Sequence, residues 1–172
     1  MKNQENLYYS SLKINGIHFK VFTSQKGIRR IFINDKDAKV RAKTLTKLHP
    51  DDPYMFNVFT ELKEYLNGER KKFTVPLDIR GTEFQQRVWN ELIKIPYGKL
   101  KTYKEIAKKL GNEKAVRAIG RANSTNNAPI LIPCHRVIAS NGKLGGYSGG
   151  ISLKEKLLEL EGSLSLELFE YL

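Results

Sequence analysis

The sequence is poor in the side chains that form disulfides and metal sites. Its 172 residues include one cysteine, Cys134, and three histidines. One thiol cannot form an internal disulfide, and with so few histidines it cannot complete a structural zinc site. The disulfide-rich secreted proteins and the zinc fingers are therefore excluded.

Long apolar stretches are also missing. The longest apolar runs are short beside the ~20 residues of a membrane helix, and the first residues lack the apolar region of a signal peptide. We therefore expect a cytoplasmic protein without a membrane partner. Because 40% of the residues are hydrophobic and 10% aromatic, the chain can bury a core in one or two compact domains.

Acidic residues are scarce in one part of the chain. Between Lys94 and Lys143 there are eleven lysines and arginines against two glutamates, so this window carries +9 of the formal net charge of +12. Positive charge can simply keep a protein in solution. Its concentration in one window favours a surface that contacts phosphates.

The first half of the chain has the pattern of an α+β domain. Strands are predicted at residues 8–14, 17–23 and 28–33. Asn15-Gly16, between the first two strands, suits a type I′ hairpin turn, so we expect an antiparallel meander.

A helix should follow the meander. It is predicted to begin at Asp51 or Asp52, with Pro53 in its first turn, since these residues favour a helix start. Asn67-Gly68 should end it. The side chains predicted to face inward are Phe56, Phe59, Leu62 and Leu66.

The segment 73–79 is extended and interrupted by Pro76, which predicts a linker between two domains. We therefore expect an N-terminal α+β domain at residues 1–80. Residues 81–172 should form a C-terminal domain of helices with an active-site loop.

Three helices of the second half are predicted to start with a capping box. In this motif a Ser or Thr hydroxyl and a Glu or Gln three residues later satisfy free backbone amides. The pairs are Thr82/Gln85, Thr102/Glu105 and Ser152/Glu155. The residues predicted to be buried in the first two helices are Phe84, Val88, Trp89, Leu92, Ile106, Ala107 and Leu110.

A basic helix is predicted directly after Gly111-Asn112. It should turn Ala115, Val116 and Ile119 inward, which leaves Lys114, Arg117 and Arg121 on the outer face. Two short helices joined by a glycine turn indicate either a helix-turn-helix or a plain helical hairpin with a solvated basic face. The pattern alone leaves both open.

The lone thiol lies in the apolar segment 130–138, beside His135 and Arg136. A buried cysteine is commonly a small hydrophobic side chain. Burial also raises a thiol pKa, so a nucleophilic Cys134 needs a nearby cation or proton acceptor. His135 is the candidate, either in direct contact through a turn or through one water molecule.

The last helix contains a carboxylate on an apolar stripe. Leu153, Leu157 and Glu161 are spaced i, i+4 and i+8. Spacing alone favours a Glu161 that bends into water at the helix end, because an isolated buried carboxylate is costly. The alternative is a Cys-His-Glu relay in which Glu161 orients His135.

Two loops flank the thiol and the last helix. Asn126 and Asn127 precede the apolar segment, where asparagine commonly serves turn formation. Residues 145–150 are rich in glycine and lack the Lys-Ser/Thr ending of a P-loop. They indicate either a closing loop that brings Tyr147 and backbone amides to a planar ligand, or an ordinary surface turn.

Several separated motifs resemble those of the 6-O-alkylguanine-DNA alkyltransferases. They agree in order and spacing over residues 81–162, whereas residues 1–80 share only the α+β layout. The motifs are Pro133-Cys134-His135-Arg136-Val137, Gly146-Tyr147-Ser148-Gly149-Gly150, Phe84-Gln85-Gln86-Arg87-Val88-Trp89, Ile95-Pro96-Tyr97-Gly98 and Thr102-Tyr103.

The resemblance implies irreversible DNA repair by methylated-DNA–protein-cysteine S-methyl transfer. Cys134 would take the alkyl group from O-6 of a guanine flipped out of double-stranded DNA, and each molecule would act once. It implies a monomer that binds the minor groove with its helix-turn-helix and needs no cofactor. Some relatives carry an N-terminal zinc site, which this chain cannot form without a second cysteine, so no metal is expected.

The resemblance also implies residue roles. His135 would be the water-linked base, Glu161 would orient it, and Asn126 would brace the turn around Cys134. Arg117 would enter the duplex in place of the flipped base. The guanine would be bound by Tyr103, Tyr147 and the backbones of Cys134, Val137 and Ser148, and the further DNA contacts would come from Lys114, Ala118, Arg121 and Tyr103.

Two other functions remain open on the sequence. A protein that only binds lesions would have no use for an acceptor thiol, so the presence of Cys134 argues against it. A Cys-His hydrolase would turn over many times.

Overall fold

The computed structural model describes residues 6–34 and 45–164. The chain divides into two units, Met1–Arg80 and Gly81–Leu172. The first unit has a sheet with a helix and the second is mainly helical, so the fold is α+β, as predicted. No helix among the described residues is long and apolar enough to cross a membrane.

A four-stranded sheet forms the N-terminal unit, in the order β3-β2-β1-β4. The predicted antiparallel meander is confirmed, and Asn15 and Gly16 both have positive φ, 48° and 82°, as a type I′ turn requires. The short β4 pairs parallel with β1 and was not predicted, because two residues give no alternating pattern. The strands are β1 (Tyr8–Ile14), β2 (Ile17–Ser24), β3 (Gly27–Ile33) and β4 (Thr46–Lys47).

The predicted single helix of this unit is wrong. Asp52 caps a 3₁₀ turn at Pro53–Met55, and the helix proper, α1, spans Val58–Leu66. Phe56 and Asn57 between them are left-handed, with φ of 51° and 59°. This break rotates the inward face, so Phe56 and Leu66 are only partly buried. The buried apolar side chains are Met55, Val58, Phe59, Leu62 and Tyr65.

The segment predicted as a linker is paired with β3. The Ile28 N–H donates to the Pro76 carbonyl at 2.8 Å, and the Asp78 N–H donates to the Ile28 carbonyl at 2.9 Å. Gly27 permits this approach, because a Cβ there would lie 2.4 Å from the Pro76 oxygen. Residues 75–78 therefore belong to the N-terminal unit and do not form a flexible linker.

Among its described residues, the C-terminal unit has four α-helices and two short strands. The capping boxes at Thr82 and Thr102 are confirmed. The one at Ser152 is wrong, because the last helix starts one residue earlier and Gly150 caps it without a side-chain bond. The elements are α2 (Glu83–Ile93), β5 (Lys101–Thr102), α3 (Tyr103–Lys109), α4 (Val116–Ser124), β6 (Val137–Ile138) and α5 (Ile151–Leu160).

The helix-turn-helix consists of α3, a turn at Gly111 and α4. α4 packs on α3 and also on α2. The Trp89 indole donates to the Ala122 carbonyl at 2.9 Å and so joins α2 to α4. Ile119, Ala122 and Asn123 are the buried side chains of α4. Four predicted inward residues are only partly buried, namely Phe84, Leu110, Ala115 and Val116. The outer face carries the exposed Lys114, Arg117, Ala118 and Arg121.

Candidate active site

The lone thiol lies on a tight turn. Cys134–Arg136 forms one turn of 3₁₀ helix, and all three side chains are buried. The amide of Asn126 braces the chain before this turn, since its Nδ2 donates to the Ile132 carbonyl at 2.8 Å. Its Oδ1 accepts from the Ala128 N–H at 3.0 Å. The turn therefore holds Cys134 in a fixed position.

His135 points away from solvent towards the end of α5. Its Nε2 lies 2.9 Å from Oε1 of Glu161, and both side chains are fully buried. The expectation that Glu161 bends into water is wrong. Because a carboxylate only accepts hydrogen bonds, Nε2 carries the proton and Nδ1 is the basic nitrogen of the neutral ring.

Burial is also the main reason why His135 stays neutral. It lowers the pKa of the imidazole, and the charges of Arg136 and Lys154 act in the same direction. Glu161 opposes them and does not prevail. The ring is therefore uncharged at neutral pH and can accept a proton.

Arg136 supplies the charge that makes a buried Glu161 tolerable. Its Nε donates to Oε2 at 2.9 Å and its Nη2 donates to Oε1 at 2.9 Å, so the ion pair is bidentate. Its Nη1 donates to the Ile95 carbonyl at 2.6 Å. The Gly98 N–H adds a bond to Oε2 at 3.3 Å. The sequence placed Arg136 beside the thiol without indicating this role.

The thiol itself is neutral at rest. Burial raises the pKa of Cys134 to about 11. Four groups counteract this in part, namely the Asn126 amide, the Lys154 charge and the main-chain N–H groups of residues 134 and 135. A thiolate must therefore form during reaction and is not stored beforehand.

Lys154 is a buried lysine that the sequence analysis missed. Its Nζ donates to the Val137 carbonyl at 2.6 Å and also to the Leu144 carbonyl. Burial lowers its pKa to about 8. It joins α5 to β6 and to the start of the glycine-rich loop. The sequence contains a signal for this burial, because Lys154 lies four residues before the buried Leu158 and so shares its face of α5.

Two tyrosines lie beside the thiol and the histidine. Tyr103 begins α3, and its pKa is raised by burial and further by the nearby Cys134, so its phenol is a protonated donor. The Tyr147 ring meets the His135 ring edge-on, with centroids 6.3 Å apart. Ser148 is exposed in the same loop. The start of α3, the 3₁₀ turn and this loop therefore lie around the thiol and the histidine.

Of the five predicted DNA contacts, Tyr103 lies beside the thiol and the other four lie on another part of the helix-turn-helix. Lys114, Arg117, Ala118 and Arg121 are exposed on the 3₁₀ turn before α4 and on α4 itself. Within the described residues, no group of three His, Cys, Asp or Glu side chains could hold a metal ion. The reactive groups brought together at the site are a thiol, an imidazole, a carboxylate and a phenol.

Comparison with known proteins identifies the family. Residues 83–163 match the 6-O-methylguanine DNA methyltransferase DNA-binding domain, and residues 7–79 match the ribonuclease-like domain of the same proteins. An inducible methylated-DNA–protein-cysteine methyltransferase of Bacillus subtilis is 39% identical over 96% of each chain. The chain belongs to the 6-O-methylguanine DNA methyltransferase family.

Other members of the 6-O-methylguanine DNA methyltransferase family agree. A methylated-DNA–protein-cysteine methyltransferase of Methanosarcina acetivorans is 46% identical over 77% of this chain and 85% of its own. The crystal structure of Mycobacterium tuberculosis O6-methylguanine methyltransferase has a TM-score of 0.82 at 37% identity, covering 95% of this chain and 99% of that one. Its complex with DNA has a TM-score of 0.81 at 36% identity, covering 95% and 98%.

The pH dependence of the thiol tests the electrostatics of the site. Because the pKa of Cys134 is about 11, thiolate absorbance in the ultraviolet should stay low through neutral pH and rise only in strong alkali. The Cys134→Ser protein provides the baseline. At about pH 10, Lys154→Met should match the wild type, since Lys154, with a pKa lowered to about 8, is already uncharged at that pH. Lys156→Met, an exposed change on the same helix, should match the wild type.

A thiolate signal already complete by about pH 8 would contradict the buried, neutral thiol. A clearly lower thiolate signal in Lys154→Met than in the wild type at about pH 10 would contradict the lowered pKa of Lys154.

Proposed function

We propose that this protein removes alkyl groups from O-6 of guanine in double-stranded DNA and keeps each as a thioether on Cys134. The observation that carries the proposal is the buried Cys134 next to a neutral His135 held by Glu161. The exposed basic helix-turn-helix of the same unit supports a DNA substrate. Membership of the 6-O-methylguanine DNA methyltransferase family supports the reaction.

The proposed chemistry begins with the thiol proton. It passes through one water molecule to Nδ1 of His135, whose other nitrogen is held by Glu161. The sulfur then attacks the alkyl carbon, a carbon–sulfur bond forms, and the bond from that carbon to O-6 breaks. Guanine leaves with the electron pair, and Tyr103 donates a hydrogen bond to its ring. The thioether is stable, so each molecule acts once.

The resting pKa explains why deprotonation must accompany attack. A thiol with a pKa of about 11 pays ~5 kcal/mol to ionise at neutral pH, at 1.36 kcal/mol per unit. The Asn126 amide and the main-chain N–H groups stabilise the charge as it develops on sulfur. His135 accepts the proton, so a free thiolate never has to accumulate.

Guanine binding in this proposal uses the groups around the thiol. The Tyr103 phenol is a protonated donor, and Tyr147 can close over the ring from the glycine-rich loop. The backbones of Cys134, Val137 and Ser148 would bind the edge of the base. Lys154 supports this edge because it holds the Val137 carbonyl.

DNA binding would use the exposed face of α4 in the minor groove. Extruding a base costs a few kcal/mol, which an inserted side chain and phosphate contacts can offset. Arg117 is the proposed insert, and Lys114 and Arg121 would contact phosphates without reading sequence. Ala118 is small, so the helix can approach the groove closely. The protein would act in the cytoplasm as a monomer without a cofactor.

Alkyl transfer can be tested by mass spectrometry. Incubation with a duplex oligonucleotide that contains 6-O-methylguanine should add one methyl group, about 14 Da, to the peptide that contains Cys134. Cys134→Ala, the control, should remain unmodified. Repeated turnover would favour a hydrolase, and an unmodified wild-type peptide after prolonged reaction would favour a protein that only binds lesions.

The role of Arg117 can be tested by comparing two substrates. Arg117→Ala should slow repair of duplex DNA by about tenfold or more, since an inserted side chain offsets the cost of base flipping. Its reaction with free 6-O-methylguanine base should remain near the wild-type rate. Lys156→Ala removes the same charge from an exposed position of α5 and serves as the control. Equal losses on both substrates would contradict insertion.

A further inference from the structure

Asn123 is a buried side chain of α4 that lies between two groups of the site. It is 4% exposed. Its Nδ2 is 3.5 Å from the Tyr103 hydroxyl and 3.5 Å from the main-chain oxygen of Cys134. Among the residues that the structure describes, its Oδ1 is buried and meets no donor. Packing alone does not account for this asparagine, because an apolar side chain would leave no buried acceptor unsatisfied.

The Cys134 carbonyl fixes which way the amide points. A carbonyl oxygen only accepts hydrogen bonds, so the end of Asn123 that faces it is the NH₂ group. The same NH₂ group faces the Tyr103 oxygen and donates its second hydrogen there. The tyrosine oxygen therefore uses a lone pair towards Asn123, and its own proton is directed elsewhere.

The Tyr103 proton has one chemically useful direction. The hydroxyl lies near the turn that carries Cys134, since the Asn123 NH₂ group is 3.5 Å from both the hydroxyl and the Cys134 carbonyl oxygen. It also lies 3.4 Å from where a Cβ on Gly145 would be, at the start of the glycine-rich loop. The proton can thus point away from Asn123 and towards the glycine-rich loop, on the side where the proposed function places the guanine.

We infer that Asn123 is a positioning residue that makes the Tyr103 hydroxyl a hydrogen-bond donor to the departing guanine and ties it to the turn that carries Cys134. The inference rests on the proposed function. One NH₂ group contacts both the Tyr103 hydroxyl and the Cys134 carbonyl. The phenol donor and the nucleophilic thiol therefore keep a fixed spacing. The sulfur attacks the alkyl carbon on one side of the bond that breaks, and the phenol donates a hydrogen bond to the guanine on the other side, so loss of this spacing slows transfer.

A double-mutant cycle tests this inference on single-turnover transfer from duplex DNA. Asn123→Leu has nearly the same volume and no polar atom, and it should slow transfer by about tenfold. Tyr103→Phe should also slow transfer. Adding Asn123→Leu to Tyr103→Phe should cause little further loss, because Asn123 acts through the phenol.

Two further variants control for folding. Asn123→Ala removes the same hydrogen bonds without adding bulk, and it should give the same pattern if Asn123→Leu fails to fold. Ser124→Ala is the matched neighbour, since Ser124 is exposed and its hydroxyl donates to the Arg121 carbonyl at 2.8 Å within its own helix. Its transfer rate should equal that of the wild type.

A second measurement does not depend on activity. Carbon-13 NMR of ring-labelled tyrosine, with Tyr103 assigned by its loss in Tyr103→Phe, reports the phenol pKa. Because the Asn123 bond lowers this pKa against the effect of burial, Asn123→Leu should raise it. A structural role alone would leave it unchanged.

The outcomes distinguish a failure of the inference about Asn123 from a failure of the proposed function. If the wild type transfers the alkyl group but the losses from Asn123→Leu and Tyr103→Phe are additive, or the Tyr103 pKa does not move, the inference about Asn123 is overturned and the proposed function stands. If the wild type transfers nothing, the proposed function fails and the inference fails with it.

Discussion

The buried Glu161 carboxylate is the constraint on which the rest of the site depends. A buried carboxylate is tolerated only when it is paired and hydrogen-bonded. Arg136 supplies the opposite charge, and His135 and the Gly98 amide supply further donors. His135 and Arg136 are adjacent in the sequence, and the tight turn lets both side chains reach the same carboxylate. Glu161 therefore fixes the position of the 3₁₀ turn at the thiol relative to the end of α5.

That arrangement also sets the charges of the resting site. Burial keeps the imidazole of His135 and the thiol of Cys134 neutral, and it weakens the basicity of Lys154. A neutral base next to a neutral thiol is ready to move one proton when a substrate arrives. In the proposed reaction the thiolate appears only as the new bond forms, which limits side reactions of the only thiol.

Features that depend on a few neighbouring residues could be predicted from the sequence, whereas contacts between residues far apart in the chain could not. The turn at Asn15-Gly16 and the capping box at Thr82 need only a few neighbouring residues, and both are confirmed. The break at Phe56 is a backbone conformation without a clear residue signature. The ion pair of Arg136 with Glu161 spans 25 positions, so spacing within one helix could not reveal it. Spacing therefore wrongly favoured an exposed Glu161.

Nitrogen-15 NMR of the His135 ring tests the central claim most directly. If Glu161 holds Nε2 and burial lowers the imidazole pKa, the ring at neutral pH should show a protonated Nε2 and an unprotonated Nδ1. Comparison with His135→Gln assigns the signals, since the chain has three histidines. A doubly protonated ring at neutral pH, or a proton on Nδ1 in place of Nε2, would contradict the account.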